Sequence, residues 1–485
     1  MKKPRKNQPK LILNDKFIKQ ISAIAEHNNF EVYLVGGYIR DKLMHKKSND
    51  IDIVVIGDAI KFAKIAAESF ETKLNAVYKK FGTALLTIDN KVKIEFASAR
   101  KESYKKDSRK PDVQLSGLTD DLSRRDFTVN AIAAPLNKDK YGVLIDLFGG
   151  IEDIKYKTLK TPLDPEKTFD DDPLRMLRAV RFASQLNFEI DERALNAIKN
   201  MKERLKIRPG QHAVVSQERI TDEFFKILLS PKPSIGLSLL QKSGLMEIIF
   251  PEVYSLEGVD QRRDYHHKDV FYHTLQVVDN ISKKTDNEWL RFAALIHDIA
   301  KPVTKRFVEG TGWTFHGHEE IGAKWQKKFF TKLRLPFDKL PYVEKLVRLH
   351  LRPIALAEKN VTDSAIRRLI YEAGDDLDDL LTLCRADITS KDPQKVKTYL
   401  GNFDRVEKTV MAVEERDRIR NFQSPVRGEE IMKICSLSPS RPVGVLKKMI
   451  EEAILDGIIP NEYNAALEYL YKIKDKALES INKNS

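Results

Sequence analysis

Two aspartates separated by one residue are the first side chains in this sequence whose spacing suggests chemistry. Asp50 and Asp52 lie in the apolar run DIDIVVIG. Side chains on a strand alternate between its faces, so both carboxylates should project from one face while Ile51 and Ile53 enter a core on the other. Neighbouring carboxylates repel each other unless a cation lies between them, and oxygen ligands suit Mg²⁺. The pair therefore predicts a catalytic Mg²⁺ site on a strand.

A third carboxylate and a glycine turn accompany this pair. Glu95 lies in the strand-like segment KVKIEFAS and is predicted to join the same catalytic site. Residues 35–41, VGGYIRD, have the pattern of a strand end, a glycine turn and a helix start. Gly36 and Gly37 let the backbone approach a phosphate, and Arg40 adds a charged fork for a triphosphate. GGxxRD followed by DxD is much more specific than either element alone.

These side chains need an α/β framework to position them. Over roughly the first 150 residues, strand-like runs alternate with helix-like ones, and from about Pro165 the pattern is almost wholly helical. We expect an α+β head with a mixed sheet and helices, then an all-α neck or body, an all-α third domain and a helical tail. The expected boundaries are 1–14 for a basic N-terminal tail, 15–160 for the head, 161–260 for the body, 261–400 for the third domain and 401–485 for the tail.

Composition and charge narrow the class of protein. The 485 residues are 42% hydrophobic, enough to bury a sizeable core, and the formal net charge of +13 favours a polyanionic partner such as nucleic acid. No segment approaches the ~20 apolar residues that span a bilayer, and the N-terminus lacks a secretory apolar region. Cys384 and Cys435 fit buried residues in a reducing compartment. The sequence therefore predicts a cytoplasmic protein without a membrane partner, and no protein partner is evident.

The segments LVGGYIRD, NDIDIVV and DDLSRRDFTVNAIA together resemble the head of class II tRNA nucleotidyltransferases and bacterial poly(A) polymerases. The resemblance implies a nucleotidyltransferase fold with two metal ions, one at the RNA 3′ hydroxyl and one at the triphosphate. It also implies that Asp121, Arg124 and Arg125 lie near the ribose and phosphates. Asp126 and Asn130 are expected to support that site.

The segment DDPLRMLRAVRF resembles the family's base-selecting template helix, with Asp171 in place of the customary glutamate. Asp172 and Arg175 lie three residues apart, so we expect them to be neighbours on one helical face. Cytosine and adenine offer an amino donor beside a ring-nitrogen acceptor, which an Asp acceptor and an Arg donor complement; uracil and guanine present the reverse polarity. Arg178 and Arg181 continue the basic ridge and are expected to hold phosphates.

Two further segments distinguish CCA addition from poly(A) synthesis. Residues 77–84, VYKKFGTA, match the FGTA of CCA-adding enzymes and lack the glycine and histidine of the poly(A) pattern. Residues 102–117 are polar and loop-like, and are long enough for the mobile loop with which the family switches to ATP. We therefore favour complete CCA addition, with tRNA, CTP and ATP as partners, over poly(A) synthesis and over CC addition alone.

A second set of candidate ligands lies in residues 261–400, which carry seven of the ten histidines. The adjacent pair His297 and Asp298 has His273 24 residues before it and Asp387 89 residues after it. This set resembles the HD superfamily of metal-dependent phosphohydrolases. The resemblance implies that these four residues bind a metal, and their mixed nitrogen and oxygen shell suits a divalent transition metal such as Mn²⁺, Fe or Ni, or Mg²⁺.

Other histidines of this region fit less uniformly. His318 and His350 match the extra ligands of HD proteins that hold a second ion, and His316 fits an exposed loop residue equally well. His266 and His267 lack such a match. The resemblance implies phosphodiesterase or phosphatase chemistry, which could repair damaged RNA 3′ ends before nucleotide addition.

The last part of the chain and the class of activity leave alternatives open. Residues 424–457 resemble the tail of related bacterial enzymes, where Lys447 and Lys448 would suit docking to a tRNA, although a packed helical hairpin fits as well. Poly(A) polymerase is one alternative function. Another is a phosphohydrolase whose head only binds RNA, but binding alone would not require paired metal carboxylates.

Overall fold

A computed structural model describes residues 9–89, 91–103, 112–206, 213–259, 269–357, 362–390, 392–420 and 422–483. The chain forms two compact units, Met1–Tyr254 and Ser255–Ser485. Three expectations concern residues outside the described ranges: the first eight residues of the basic tail, the centre of the predicted loop (104–111), and the pair His266 and His267.

The head is built on a mixed sheet, as predicted. Its strands are Glu31–Val35 (β1), Asp50–Ile56 (β2), Leu74–Tyr78 (β3), Thr83–Ile88 (β4), Val92–Ser98 (β5), Arg100–Ser103 (β6), Asp112–Leu115 (β7), Ile132–Pro135 (β8) and Ile145–Asp146 (β9). Seven strands form one sheet in the order β3-β4-β5-β2-β1-β8-β9. The central pair β2 and β5 is parallel, and the other neighbours are antiparallel. The parallel pair carries the predicted carboxylates.

Helices cover one face of this sheet and leave the carboxylates on the other. The helices of the head are Lys16–His27 (α1), Gly37–Leu43 (α2), Ala59–Ser69 (α3), Leu118–Ser123 (α4) and Gly150–Tyr156 (α5). Ile51, Ile53 and Val55 enter the main core together with buried residues of α1 and α3. Asp50 and Asp52 have the opposite parity on β2 and avoid that core. The strand alternation is therefore as expected.

The predicted polar loop at 102–117 differs from the structure at its described ends. β6 and β7 pair as an antiparallel two-stranded sheet, with Arg100 opposite Leu115 and Ser103 opposite Asp112. The segment contains few apolar residues, so its composition does not reveal the strands.

The body that follows is helical and begins where the sequence indicates. Its helices are Pro165–Asp171 (α6), Leu174–Leu186 (α7), Glu192–Met201 (α8), Gln217–Leu228 (α9), Pro233–Ser243 (α10), Leu245–Ile249 (α11) and Pro251–Tyr254 (α12), and its strands are Thr158–Leu159 (β10) and Glu189–Ile190 (β11). The Asp164 carboxylate accepts the first amides of α6, and Pro165 occupies the first turn, where its missing N–H costs nothing.

The second unit is helical apart from one hairpin. Its helices are Val270–Ser282 (α13), Glu288–Ile296 (α14), Lys301–Thr304 (α15), His318–Leu333 (α16), Leu340–Leu349 (α17), Arg352–Ala355 (α18), Asp363–Ala373 (α19), Leu377–Asp387 (α20), Pro393–Asp417 (α21), Gly428–Cys435 (α22), Arg441–Leu455 (α23) and Tyr463–Lys483 (α24). The hairpin consists of Arg306–Val308 (β12) and Gly312–Thr314 (β13). Phe292, Phe329 and Phe330 are fully buried and anchor the helices around α14.

The predicted order of an α+β head followed by a helical remainder is confirmed. The expected domain boundaries remain predictions, and the one at residue 400 falls inside α21. Residues 9–14 pack on the head rather than forming a free tail, since Leu13 is buried and Lys10 pairs with Val143. In the described ranges, no helix combines the length and apolar character needed to cross a bilayer.

Candidate active sites

Three carboxylates of the head line one cavity of about 370 Å³. Asp50 and Asp52 lie on β2, and Glu95 lies opposite Asp52 on the neighbouring strand β5. Burial raises the pKa of Asp52, and the charge of Asp50 raises it further, although Arg125 lowers it. Burial and the charge of Asp52 likewise raise the pKa of Glu95. Asp52 and Glu95 therefore lie where a bound cation would offset the cost of their negative charges.

The chemistry of these donors fits a hard divalent cation, since all of them are oxygens. The ligand oxygens of the three carboxylates do not all lie within 4.8 Å of one another. Among the described residues, the two groups of possible metal ligands whose atoms lie that close together both belong to the second unit. A cation held by Asp50, Asp52 and Glu95 would draw the side chains together and offset the repulsion between them.

Gly36 allows the glycine turn to touch Asp52. Its φ is +74°, and a Cβ built there would lie 2.8 Å from Asp52 Oδ2 and 3.2 Å from Arg125 Nη1. The N–H of Gly37, the first residue of α2, donates to the Asp52 carboxylate and lowers its pKa. The glycines were predicted to admit a phosphate; in the structure their first role is to admit and orient a carboxylate.

Replacing Gly36 by alanine should reduce nucleotide incorporation by about 10²-fold, because a shift of about 1 Å in Asp52 misplaces the catalytic group. Gly57→Ala is the matched control, since Gly57 also has a positive φ (+106°) but no atom within 4 Å of its added Cβ. Each variant should lose about 1–3 kcal/mol of stability, because alanine is strained at a positive φ, and denaturant unfolding measures this loss. Equal incorporation rates for the two variants would contradict this role of Gly36.

Arg40 belongs to a buried network beside the carboxylates. Its Nη1 donates to Asn130 Oδ1 at 2.7 Å and its Nε to Asp41 at 2.9 Å. Asn130 in turn donates to Asp126, whose other oxygen accepts from Arg178 Nε at 2.9 Å. Burial alone would raise the pKa of Asp126, but Arg178 and Asn130 hold it well below its usual range. The network fixes two guanidinium groups at the wall of the cavity, where a triphosphate would need them.

Asp121 differs from the expectation that it lies near the ribose and phosphates. It is fully buried, lines neither cavity of the head, and accepts Arg124 Nε at 3.1 Å and Arg125 Nη2 at 3.1 Å. Burial would raise the pKa of Asp121, but the two arginines lower it. Asp121 therefore orients Arg124 and Arg125, which do line the cavities.

A larger cavity, of about 740 Å³, contains the predicted base-selecting pair. Asp172 and Arg175 line it together with Asp52 and Glu95, so two of the predicted metal-binding carboxylates and the predicted base-selecting pair share one space. Arg175 Nη2 donates to the Arg124 carbonyl at 2.7 Å, which fixes its guanidinium. The metal-binding and base-reading functions are thus compatible in geometry.

The template is not one helix, which corrects the sequence argument. Asp172 lies between α6 and α7 with extended backbone angles (φ −143°, ψ 101°). Its carboxylate accepts a hydrogen bond from the backbone N–H of Leu174. Pro173 disfavours a helical conformation for the residue before it, so the break follows from the sequence DDPL. Asp172 and Arg175 are close because Asp172 precedes the first turn of α7, not because they share a helical face.

The remaining predicted arginines divide into two kinds. Arg178 lines both cavities, whereas Arg181 and Asp171 line neither. Arg181 forms an ion pair at 2.8 Å with the buried Glu223 of α9, so it does not fit the predicted phosphate contact. The sequence analysis did not single out Arg219 of α9, which lines the larger cavity and lies 3.9 Å from Asp172.

The second unit brings all six predicted HD residues together. Asp298 lies at the centre: its Oδ2 is 3.2 Å from His297 Nε2 and 3.6 Å from His273 Nε2. Its Oδ1 is 3.2 Å from His318 Nε2 and 3.8 Å from His350 Nε2. One carboxylate therefore faces two pairs of imidazoles, a geometry that suits a carboxylate shared by two metal ions.

Asp387 completes the first pair of imidazoles. Its Oδ1 lies 2.8 Å from His273 Nε2 and 3.4 Å from His297 Nε2. The other predicted histidine of this region that the structure describes, His316, is exposed. Cys384 is fully buried, as predicted, and its thiol contacts the His350 carbonyl.

Backbone carbonyls determine the tautomers of three of these histidines. The Nδ1 atoms of His297, His318 and His350 lie 2.7–2.8 Å from carbonyl oxygens, which can only accept hydrogen bonds. Each Nδ1 therefore carries a proton, and each Nε2 is the ring atom that faces the cluster and can bind a metal when the imidazole is neutral. The Nε2 atoms of His318 and His350 face each other at 3.3 Å. Two lone pairs at this distance require a cation between them or a proton on one of them.

The buried atoms of this cluster fit metal binding. His297 Nε2 is buried and faces the carboxylate oxygens of Asp298 at 3.2 Å and Asp387 at 3.4 Å without a well-aligned hydrogen bond to either. Burial would lower the pKa of His297, but Asp298 and Asp387 raise it to about 10, whereas burial lowers the pKa of His350 to about 3. Opposite pKa shifts of neighbouring histidines arise where carboxylates and imidazoles are held close together in a buried cluster. The donor set of four nitrogens and two carboxylates suits a divalent metal.

Comparisons with known proteins agree with this arrangement. The family described as "Poly A polymerase head domain" matches residues 32–160, "Probable RNA and SrmB- binding site of polymerase A" matches 187–256, and "HD domain" matches 263–392. A multifunctional CCA protein of Vibrio vulnificus is 32% identical over 74% of this chain and 84% of its own length. A CC-adding tRNA nucleotidyltransferase of Thermus thermophilus is 30% identical over 91% of this chain and 93% of its own length.

The chain belongs to the tRNA nucleotidyltransferase family. This tRNA nucleotidyltransferase also has the fold of the Bacillus stearothermophilus CCA-adding enzyme solved in complex with CTP, with a TM-score of 0.65 over 96% of this chain and 98% of that one at 22% identity. Both the nucleotidyltransferase head and the HD domain are metal-dependent domains, and the chain carries candidate ligands in each. The roles assigned to individual residues remain predictions.

Proposed function

We propose that this enzyme adds C, C and A to the 3′ ends of tRNA from CTP and ATP, acting in the cytoplasm with Mg²⁺ in its head. The observation that carries the proposal is the shared cavity, in which Asp52 and Glu95 lie with Asp172 and Arg175. A site that both activates a 3′ hydroxyl and reads Watson–Crick edges needs these groups in one space. The family relationship supports tRNA as the acceptor.

In this proposal the chain's own residues perform four tasks. Asp50, Asp52 and Glu95 would hold the metal ions, which neutralise the triphosphate and favour ionisation of the 3′ hydroxyl. Arg40, Arg125 and Arg178 line the smaller cavity and bind the phosphates. Asp121 and Asp126 hold those arginines in place, since each carboxylate is buried and paired with them. Asp172 and Arg175 accept cytosine and adenine and leave uracil and guanine unpaired.

Three tRNA substrates test the completeness of the reaction. One ends before the first C, one after the first C, and one after the second C. A CCA-adding enzyme extends all three, a CC-adding enzyme fails on the third, and an A-adding enzyme extends the third alone. A long A ladder on any of them would indicate the alternative function, poly(A) synthesis. Gel analysis at single-nucleotide resolution separates these outcomes.

We also propose that the HD domain hydrolyses phosphate esters at RNA 3′ ends, using divalent metal ions such as Mn²⁺, Fe, Ni or Mg²⁺. The supporting observation is the central position of Asp298 between two pairs of imidazole nitrogens. Lys301 Nζ lies 2.7 Å from Asp298 Oδ2, so a cationic donor for a phosphate oxygen is adjacent to the ligands.

Asp298→Ala should abolish metal-dependent release of phosphate from a 2′,3′-cyclic nucleotide, because it removes the carboxylate shared by both groups of ligands. Nucleotide addition to tRNA by the same variant should stay within about twofold of the parent, since Asp298 belongs to the other unit. Equal and negligible hydrolysis by the parent and the variant would exclude this activity. Ring opening leaves a nucleoside monophosphate, so alkaline phosphatase, which does not open the cyclic ester, is added to release its phosphate before malachite-green detection.

The helical tail supports a further contact with tRNA in this proposal. On α23, Leu446 and Ile450 are buried while Lys448 is exposed, so one face of the helix packs and the other presents positive charge. Lys447 is 3.8 Å from Glu451 and is partly neutralised. Lys448 is therefore the better of the two predicted lysines for a phosphate of the tRNA.

A further inference from the structure

A hairpin of the second unit presents aromatic side chains to solvent. β12 and β13 pair only with each other among the described strands, and Phe307 lies directly opposite Trp313. Their ring centres are 5.3 Å apart in an edge-to-face arrangement. Phe307 is 45% exposed and Trp313 is 37% exposed. Cross-strand aromatic pairs stabilise a hairpin, but this pair leaves much of its apolar surface in water, which is unfavourable without a ligand.

The aromatic face is continuous with the HD ligands. Alternate residues of a strand point to the same face, so Lys305 lies on the same face of the hairpin as Phe307 and Trp313. Its ammonium group is 4.6 Å from the centre of the Trp313 ring. β13 then leads to Phe315, whose carbonyl lies 2.7 Å from the Nδ1 of the candidate ligand His318. The five steps along the chain from Trp313 to His318 span at most about 17 Å, a distance that a few nucleotides can bridge.

A second lysine connects this face to the ligand cluster. Lys301 Nζ lies 5.6 Å from the Phe315 ring centre and 2.7 Å from Asp298 Oδ2. Residues 301–316 contain Lys301, Lys305 and Arg306 but only one carboxylate, Glu309. Aromatic rings interleaved with cations are the surface that binds unpaired nucleic acid, because bases stack on the rings while phosphates meet the cations.

We propose that the face formed by Lys305, Phe307, Trp313 and Phe315 binds the unpaired 3′ end of an RNA and delivers its terminal phosphate to the HD ligands. This inference rests on the proposed phosphohydrolase activity of the HD domain and names its substrate class as single-stranded RNA ends rather than small phosphate esters. In a duplex the bases stack on one another, so their faces are not available to stack on the aromatic rings of the protein.

Tryptophan fluorescence of the full chain tests the binding step separately. All three tryptophans (Trp289, Trp313 and Trp325) belong to the second unit, and none belongs to the head. Short single-stranded oligoadenylate should quench the fluorescence of the parent, and Trp313→Phe should remove the quenching. Phe307→Ala should weaken the affinity about tenfold, the loss of about one stacked base. Phe307→Tyr should restore it.

Val308→Ser is the matched control, because Val308 is also exposed but lies on the opposite face of the same hairpin. It should bind oligoadenylate like the parent. Absence of quenching in the parent, or equal affinities of Phe307→Ala and Val308→Ser, would overturn the inference and leave the face to another partner, such as a protein.

Hydrolysis separates this inference from the function on which it rests. Two substrates are compared: an oligoadenylate ending in a 2′,3′-cyclic phosphate, and glycerol 1,2-cyclic phosphate, which has the same ester ring without a base. The ratio of their kcat/KM values should fall about tenfold in Phe307→Ala. An unchanged ratio would overturn the inference while leaving the phosphohydrolase intact. Quenching by RNA without hydrolysis of either substrate would overturn the phosphohydrolase function and leave an RNA-binding face.

Discussion

Replacing Asp52 by alanine is expected to lower the addition of CMP and AMP by about 10³-fold or more, because a metal ion contributes several kcal/mol to the stabilisation of the transition state. Asp52 is the carboxylate at the centre of the head: it faces Asp50 on its own strand, Glu95 on the next strand and the N–H of Gly37. The loss should appear in single-turnover incorporation of labelled CTP and ATP into a truncated tRNA.

Two controls accompany this variant. Asp139→Asn alters a carboxylate that is exposed and lines neither cavity, so its incorporation rate should equal that of the parent. Metal binding by the HD domain of Asp52→Ala should also be unchanged, since its ligands belong to the other unit. Incorporation by Asp52→Ala within tenfold of the parent rate would contradict the assignment of the metal site.

Replacing Arg175 by alanine should remove the choice of base while the metal site remains. The ratio of kcat/KM for CTP to that for UTP is expected to fall by about 10²-fold. In the parent enzyme, uracil would leave the buried Arg175 guanidinium without an acceptor, and alanine removes this penalty. Arg175→Lys should also lose selectivity, since a lysine keeps the charge but not the planar fork. Competition between labelled CTP and UTP on one tRNA measures the ratio.

Arg193→Ala is the matched control for this prediction. Arg193 belongs to the same helical body, but its side chain is 80% exposed and it lines neither cavity of the head. Its base selection should equal that of the parent. An Arg175→Ala enzyme that still rejects UTP and GTP as the parent does would refute the template, and the choice of base would then require other residues of the larger cavity, such as Arg219.

The features predicted correctly from the sequence are those that depend on local pattern. Alternation along DIDIVVIG is sufficient to place Asp50 and Asp52 on one face, since a strand has a period of two. The HD residues are the exception: they lie far apart in sequence, and only their resemblance to a known set predicts that they come together. The structure places the other five around Asp298.

The errors arose where a distant partner or one local residue changed the outcome. The spacing of Asp172 and Arg175 suggested a shared helical face, but Pro173 ends the helical conformation before it. Arg181 was expected to hold phosphate, and in the structure it pairs with Glu223, 42 residues later in the chain. Asp121 was expected near the ribose and phosphates, and in the structure it accepts hydrogen bonds from two arginines. The roles of both residues remain predictions. Patterns within one segment cannot report such pairings between segments.

The central claim is that one cavity of the head both transfers a nucleotide and chooses its base. The most direct test is to incubate a tRNA that lacks its 3′ CCA with Mg²⁺ and all four nucleoside triphosphates together, and to sequence the 3′ ends of the products. The account predicts addition of C, C and A followed by arrest, and no extension of a tRNA that already ends in CCA. Incorporation of U or G, or an A ladder of open-ended length, would contradict it.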